Sequence, residues 1–132
     1  VSSVYIASRT NNLPAAKKLA AWLEEHDFTI SYKWWNEEIL PKPFRGNNNP
    51  KLHVIMKNEL ISAAGADIFV LFSAPGMRGA YIELGAFLAD ADTSNKTVYV
   101  IGGAQEEHSF ESLSHFVFVD SVDELKQELN NG

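Results

Sequence analysis

The run Asp67-Ile68-Phe69-Val70-Leu71-Phe72-Ser73 constrains the fold more than any other stretch of the chain. Successive apolar residues with no polar alternate fit a strand covered on both faces, and such strands belong to parallel sheets flanked by helices. A parallel neighbour needs a crossover connection, usually a helix. The rest of the chain supplies both element types. Val4 to Ser8 and Thr97 to Ile101 read as further buried strands, Phe28 to Trp34 as an alternating one, and Phe116 to Val119 as a short last one. Between them, Leu13 to His26 has helical periodicity, with Leu13, Ala16, Leu19, Ala20 and Leu23 on one face and Lys17, Lys18, Glu24 and Glu25 on the other. Pro14 suits the first turn of that helix, where its missing N–H costs nothing. Lys51 to Gly65 reads as a second helix with Leu52, Ile55, Met56 and Leu60 inward, and Ala80 to Ala91 as a third. Ser121 followed three residues later by Glu124 is a capping-box arrangement that opens a last helix ending at Leu129.

Strands alternating with helices predict right-handed crossovers and a flavodoxin-like α/β fold: a doubly wound, five-stranded parallel sheet of order 2-1-3-4-5, helices on both faces. At 132 residues the chain is expected to form one domain over 1–132. In such sheets ligands bind beyond the carboxyl ends of the strands, at the switch point between strands one and three. That rule nominates Ala7-Ser8-Arg9 and the stretch Ser73 to Glu83. Two segments resist assignment: Trp35 to Pro50, rich in proline and asparagine, and the polar piece Ala104 to His115. Irregular stretches this long are usually binding loops, lids or disordered.

Composition narrows the function classes. Apolar residues at 45% and charged residues at 21% are globular values. A net charge of −6 argues against nucleic-acid polymers as partners, though local donors can still hold a small anion. No apolar run approaches a membrane span and the N-terminus lacks a basic-then-apolar leader, so the expectation is no membrane association and a cytoplasmic location. The absence of cysteine fits a reducing compartment and removes thiolate ligands and cysteine nucleophiles. The histidines His26, His53, His108 and His115 lack the i, i+4 spacing of a helical zinc pair, so no metal is expected.

The richest stretch chemically is Ser73-Ala74-Pro75-Gly76-Met77-Arg78-Gly79-Ala80-Tyr81-Ile82-Glu83. Its glycines let the backbone turn and approach a ligand, and the N–H groups opening the next helix favour negative charge in the crevice. Glu83, expected within the first turn or so, fits two roles: a carboxylate facing an electrophilic carbon, or one that complements the helix dipole. Arg9 and Arg78 are the cations nearest the crevice, as phosphate ligands or as solvated loop residues. Trp34 continues the strand alternation into the core, which leaves Trp35 on the opposite face as the candidate platform for a flat base.

The opening Val4-Tyr5-Ile6-Ala7-Ser8-Arg9, the segment from Glu59 to Phe72, and above all Arg78-Gly79-Ala80-Tyr81-Ile82-Glu83-Leu84-Gly85 together resemble the nucleoside 2-deoxyribosyltransferase family, whose relatives include the 2'-deoxynucleoside 5'-phosphate N-hydrolases. The resemblance runs from about Val4 to Phe118. It implies cleavage or transfer at the N-glycosidic bond of a (deoxy)nucleoside or its 5'-monophosphate, with no cofactor. Glu83 matches the family's nucleophile and Tyr5 the tyrosine that hydrogen-bonds near it; a core tyrosine is the other reading of Tyr5. Glu59 falls where the family has an aspartate that handles the proton of the departing base, so this chain departs from the pattern by one methylene; an exposed helix glutamate is the other reading of Glu59. Ser8, Arg9, Ser73, Arg78 and Gly79 fall where the nucleotide hydrolases bind the 5'-phosphate, and His108 lies where the family has residues near the pocket. The resemblance also implies a homodimer or higher homo-oligomer. Two rival readings remain. Pro75 to Glu83 has the P-G-x-x-G-x-x-x-E spacing of the cytokinin-activating phosphoribohydrolases, although Ala7 to Thr10 lacks their glycine-rich loop. A non-catalytic nucleotide-binding sensor module is the other.

Overall fold

The computed structural model describes residues 2–38, 40, 42, 44–46, 49–89, 95–102 and 109–131. The strands β1 (Ser3–Ala7), β2 (Thr29–Ile30), β3 (Ile68–Phe72), β4 (Thr97–Ile101) and β5 (His115–Val119) form one sheet in the order β2-β1-β3-β4-β5. Every neighbouring pair is parallel. The predicted doubly wound α/β architecture is therefore observed. Its helices are α1 (Leu13–Glu25), α2 (Pro50–Ala64), α3 (Arg78–Ala89) and α4 (Val122–Asn131). No described helix is long and apolar enough to cross a membrane.

Alternation along β1 divides the core. Tyr5 and Ala7 join Phe69, Leu71, Ala80, Leu84 and Phe87 on the face covered by α2 and α3. Val4 and Ile6 join Leu19, Leu23, Val70, Phe72 and Leu125 on the face covered by α1 and α4. The β1–β3 register sets Tyr5 opposite Phe69, and their rings stack at 5.6 Å. At the amino end of the sheet, Asp67 accepts from the Ser3 backbone N–H at 2.9 Å, which ties β1 to β3 away from the rim where ligands bind.

Local chemistry accounts for the helix starts. Asn49 caps α2 by accepting from the Lys51 N–H at 3.0 Å, with Pro50 in the first turn. At α4 the Glu124 N–H donates to Ser121 Oγ at 3.2 Å, and the Glu124 carboxylate reaches back to the Asp120 N–H at 2.8 Å. That is the predicted capping box with its return bond one residue earlier.

Two boundaries differ from the sequence expectation. The second strand is confined to Thr29–Ile30, because the chain turns into a 3₁₀ segment at Trp34–Asn36. The third helix starts at Arg78, so Glu83 is one and a half turns into it and not in its first turn. The end of the predicted third helix beyond Ala89, parts of the Trp35–Pro50 loop, and the first part of the Ala104–His115 piece, through His108, lie outside the described residues.

Candidate active site

A cavity of about 500 Å³ opens at the carboxyl rim of the sheet, over the junction of β1 and β3. Ser8 and Arg9 follow β1, Gly76 to Ala80 form the turn into α3, and Met56, Glu59 and Leu60 come from α2. Ile82 and Glu83 of α3 and Trp34 of the 3₁₀ segment complete the lining.

The sheet and its two covering helices bring three of the expected residues into one cluster. Tyr5, fully buried in β1, donates its hydroxyl to Glu83 Oε2. Glu59 on α2 lines the same cavity, and its carboxyl acts on Glu83 to raise it. The glutamate that stands where the resemblance implies an aspartate therefore still reaches the cavity lining. Burial, followed by the adjacent Glu59 carboxyl, pushes Glu83 up to about 8, against the opposing pull of the Tyr5 hydroxyl. Glu83 thus holds a proton at neutral pH. Burial and the facing Glu83 raise the Tyr5 hydroxyl far above the ordinary phenol range, so it remains a donor.

The adjoining end of the cavity is lined by Ser8, Arg9 and the turn from Gly76 to Gly79. Ser8 Oγ is buried and has no hydrogen-bond partner among the described residues, leaving a donor and acceptor to be satisfied. The Arg9 guanidinium donates to the Pro75 carbonyl and so links the loop after β1 to the turn before α3. Gly76, next to Pro75, has a φ of +73°, a left-handed conformation that favours glycine, while a Cβ there would only make ordinary contact with Arg9 at 3.5 Å. Gly79 differs, since a Cβ at that position meets nothing within 4 Å. What its missing side chain provides is open space in the cavity, beside the N–H groups that begin α3. Arg78 at the same turn is exposed and lines the cavity.

Two expected ligand residues lie elsewhere. Ser73 is outside the cavity lining; its N–H donates to Ile101 O at 2.9 Å, and its side chain faces Gly102. Trp35 packs with the cluster on the α1 face, while Trp34 lines the cavity. Strand alternation would place Trp34 in the core only if β2 continued to it, and β2 ends at Ile30. The 3₁₀ turn ends that alternation, and the Trp34 indole N–H donates to Ile6 O at 2.7 Å, which brings the ring to the rim of β1. Met56 and Leu60 were expected in the core, yet they are exposed along the cavity wall. Their helical spacing gave the correct face of α2, but that face extends past the sheet edge and over the cavity.

No family model matches the sequence, and no characterised protein gives a sequence match. Among solved structures, the chain is similar to a CMP N-glycosidase, BcmB, from Clostridium botulinum, at 16% identity with a TM-score of 0.63. The alignment covers 98% of this chain and 99% of that one. At that identity the similarity establishes the fold, and the doubly wound α/β architecture read from the sequence is the one the two proteins share.

Proposed function

We propose that the chain cleaves the N-glycosidic bond of a nucleotide or nucleoside, with Glu83 as the nucleophile. The observation that carries this reading is the Glu83 carboxyl in a cavity at the switch point, accepting a hydrogen bond from Tyr5 and sharing the cavity lining with Glu59. The shared fold of the CMP N-glycosidase supports it, as does the resemblance in the segment Arg78 to Gly85.

The chemistry follows from one proton held between two carboxyls. Transfer of that proton from Glu83 to Glu59 leaves Glu83 as the anion facing C1' of the sugar. Its oxygen forms a bond to C1' as the C1'–N bond breaks, and the bonding pair leaves with the base. Glu59 protonates the departing base nitrogen. Water or a second base then attacks C1', releases Glu83, and returns a proton to the pair. Water makes the enzyme a hydrolase and a base makes it a deoxyribosyltransferase. Throughout, Tyr5 donates to Glu83 and orients the carboxylate.

Ser8, Arg9, Arg78 and Gly79 are assigned to a 5'-phosphate, through a free hydroxyl, guanidinium donors and the helix N–H groups. Trp34, Met56, Leu60 and Ile82 give the base an apolar wall, with the indole as the aromatic surface. Self-association fits the apolar exposure around this wall: Val54 and Ile61 on α2 are 54% and 67% exposed, and Ile82 on α3 is 63% exposed. A second copy covering α2 and α3 buries these residues.

Incubation with ribo- and deoxyribonucleosides and their 5'-monophosphates, followed by chromatography for free base, tests the assignment. Release of base by the wild type and its loss in Glu83→Gln is the expected result. Ligand-dependent thermal stabilisation with no product favours the sensor module. Release from ribonucleoside monophosphates bearing N6-substituted adenine favours the phosphoribohydrolase reading.

A further inference from the structure

Lys96 is the one buried charged residue among those described, at 6% exposure, and the proposed chemistry does not use it. It immediately precedes β4, at the opposite end of the sheet from the cavity. Its Nζ donates to the Ala64 carbonyl at 2.7 Å and to the Phe87 carbonyl at 3.1 Å, and sits 4.3 Å from the Phe87 ring centroid. Ala64 is the last residue of α2, and Phe87 lies in the last turn of α3. One ammonium therefore binds the negative ends of two helix dipoles at once. The Lys96 carbonyl in turn accepts from Ser114 Oγ at 2.6 Å, which fixes the lysine backbone to the start of β5.

Those two helices carry the carboxyl pair. Glu59 lies five residues before Ala64 and Glu83 four before Phe87. At 1.5 Å per residue this is roughly 6–8 Å along each axis. Because the offsets nearly match, a tie between the two carbonyls sets the relative axial position of α2 and α3 at the level of the pair. A buried ammonium is costly, and apolar residues of similar volume often replace buried ions without loss of stability. What an apolar side chain cannot supply is a directional bond to each helix end.

We infer that Lys96 is a positioning residue that locks α2 to α3 and thereby fixes the separation of Glu59 and Glu83. The inference rests on the proposed glycosidase reading for its catalytic consequence, but the separation itself can be measured without turnover. The groups that face Glu83 are Glu59 from α2 and Tyr5 from β1, with Arg9 after β1 and Arg78 at the start of α3 lining the same cavity.

The test compares wild type and Lys96→Met by carbon-detected NMR titration of the glutamate side chains, alongside kcat, KM and Tm. Splaying of the helices admits water and separates the carboxyls, so the Glu83 titration should move down from about 8 towards ordinary carboxylate values. Loss of the ammonium charge acting at a distance would move it up, so the sign distinguishes the two effects. An unchanged or raised titration overturns the inference. With substrate, kcat per folded molecule should fall on the order of tenfold while KM stays within about threefold. Wild-type kcat with a lowered Tm would mean a stabilising role only and overturns it too. Lys96→Arg, which keeps a cation and its donors, should restore part of kcat. If Lys96→Met does not fold, Lys96→Gln carries the same titration. Failure of the wild type to release base from any nucleotide refutes the glycosidase reading, and the titration still decides the positioning claim.

Discussion

Replacing Glu83 by glutamine should remove a pH-dependent burden on the fold as well as the nucleophile. The carboxyl ordinarily titrates at 4.5 and is raised to about 8 in the cavity. Between these values the unfolded chain gives up a proton that the folded chain retains. The folded state then binds more protons, and stability falls as pH rises across that window, levelling off above about 8. At about 1.4 kcal/mol per pH unit the full loss is roughly 5 kcal/mol, an upper bound. Relaxation and water entry around an ionised carboxylate reduce it, leaving a loss of about 2–4 kcal/mol. Glutamine has nearly the shape of the protonated acid; it accepts from Tyr5 and donates to Glu59 without ever ionising. Glu83→Gln should therefore match the wild type near pH 5 and exceed it by about 2–4 kcal/mol near pH 9. Urea unfolding at both pH values measures the difference, expected as a midpoint displaced by about 1–2 M at the higher pH. Titrating groups away from this cluster are common to both proteins and cancel in the comparison. A stability difference that does not change with pH would refute the placement of a protonated Glu83 against Glu59.

Three further perturbations address the remaining parts of the site. Glu59→Gln should lower base release by about 10²–10⁴-fold through loss of the proton donor, and should move the Glu83 titration down; an unchanged rate with the same pH profile contradicts the pair. Gly79→Ala has room for its Cβ and should fold with an unchanged Tm, yet the methyl intrudes on the cavity. Its KM for a 5'-monophosphate should rise by about tenfold, a change worth about 1.4 kcal/mol, and an unchanged KM places the phosphate elsewhere. Arg9→Ala removes the bond to the Pro75 carbonyl and a cation from the cavity. Stability should fall by about 1 kcal/mol, and kcat/KM should drop more for nucleotides than for nucleosides in steady-state assays. Equal loss for both substrate classes would assign Arg9 to the loop alone.

The fold was legible because its strands are apolar enough to require cover on both faces. Asp67 to Ser73 implied a parallel sheet, and helix spacing on either side implied the crossovers. The second strand was misjudged in length, since Phe28 to Trp34 has the alternation of a strand while only Thr29–Ile30 pairs with β1. That single difference exchanged the roles of Trp34 and Trp35, because a 3₁₀ turn does not preserve strand alternation. Met56 and Leu60 were misplaced for a related reason. Periodicity identifies the apolar face of a helix but not where the sheet beneath it ends.

The site was legible in part. The switch-point rule led to Ser8, Arg9 and the turn before α3, and resemblance pointed to Tyr5, Glu59 and Glu83. Their convergence depends on three elements separated in sequence, and no spacing pattern encodes the meeting of residues 59 and 83 in one cavity. Lys96 gave no sequence signal at all. A lysine before a strand reads as solvated, and only the packed ends of α2 and α3 reveal why this one is buried.

The central claim is a covalent bond between Glu83 and C1' of the sugar. Rapid acid quench with a slowly turned-over 2'-fluoro nucleotide, followed by peptide mapping in a mass spectrometer, measures it most directly. The account predicts the mass of the sugar, or of the sugar phosphate, on Glu83. Steady release of free base with the sugar attached to a different residue would contradict it.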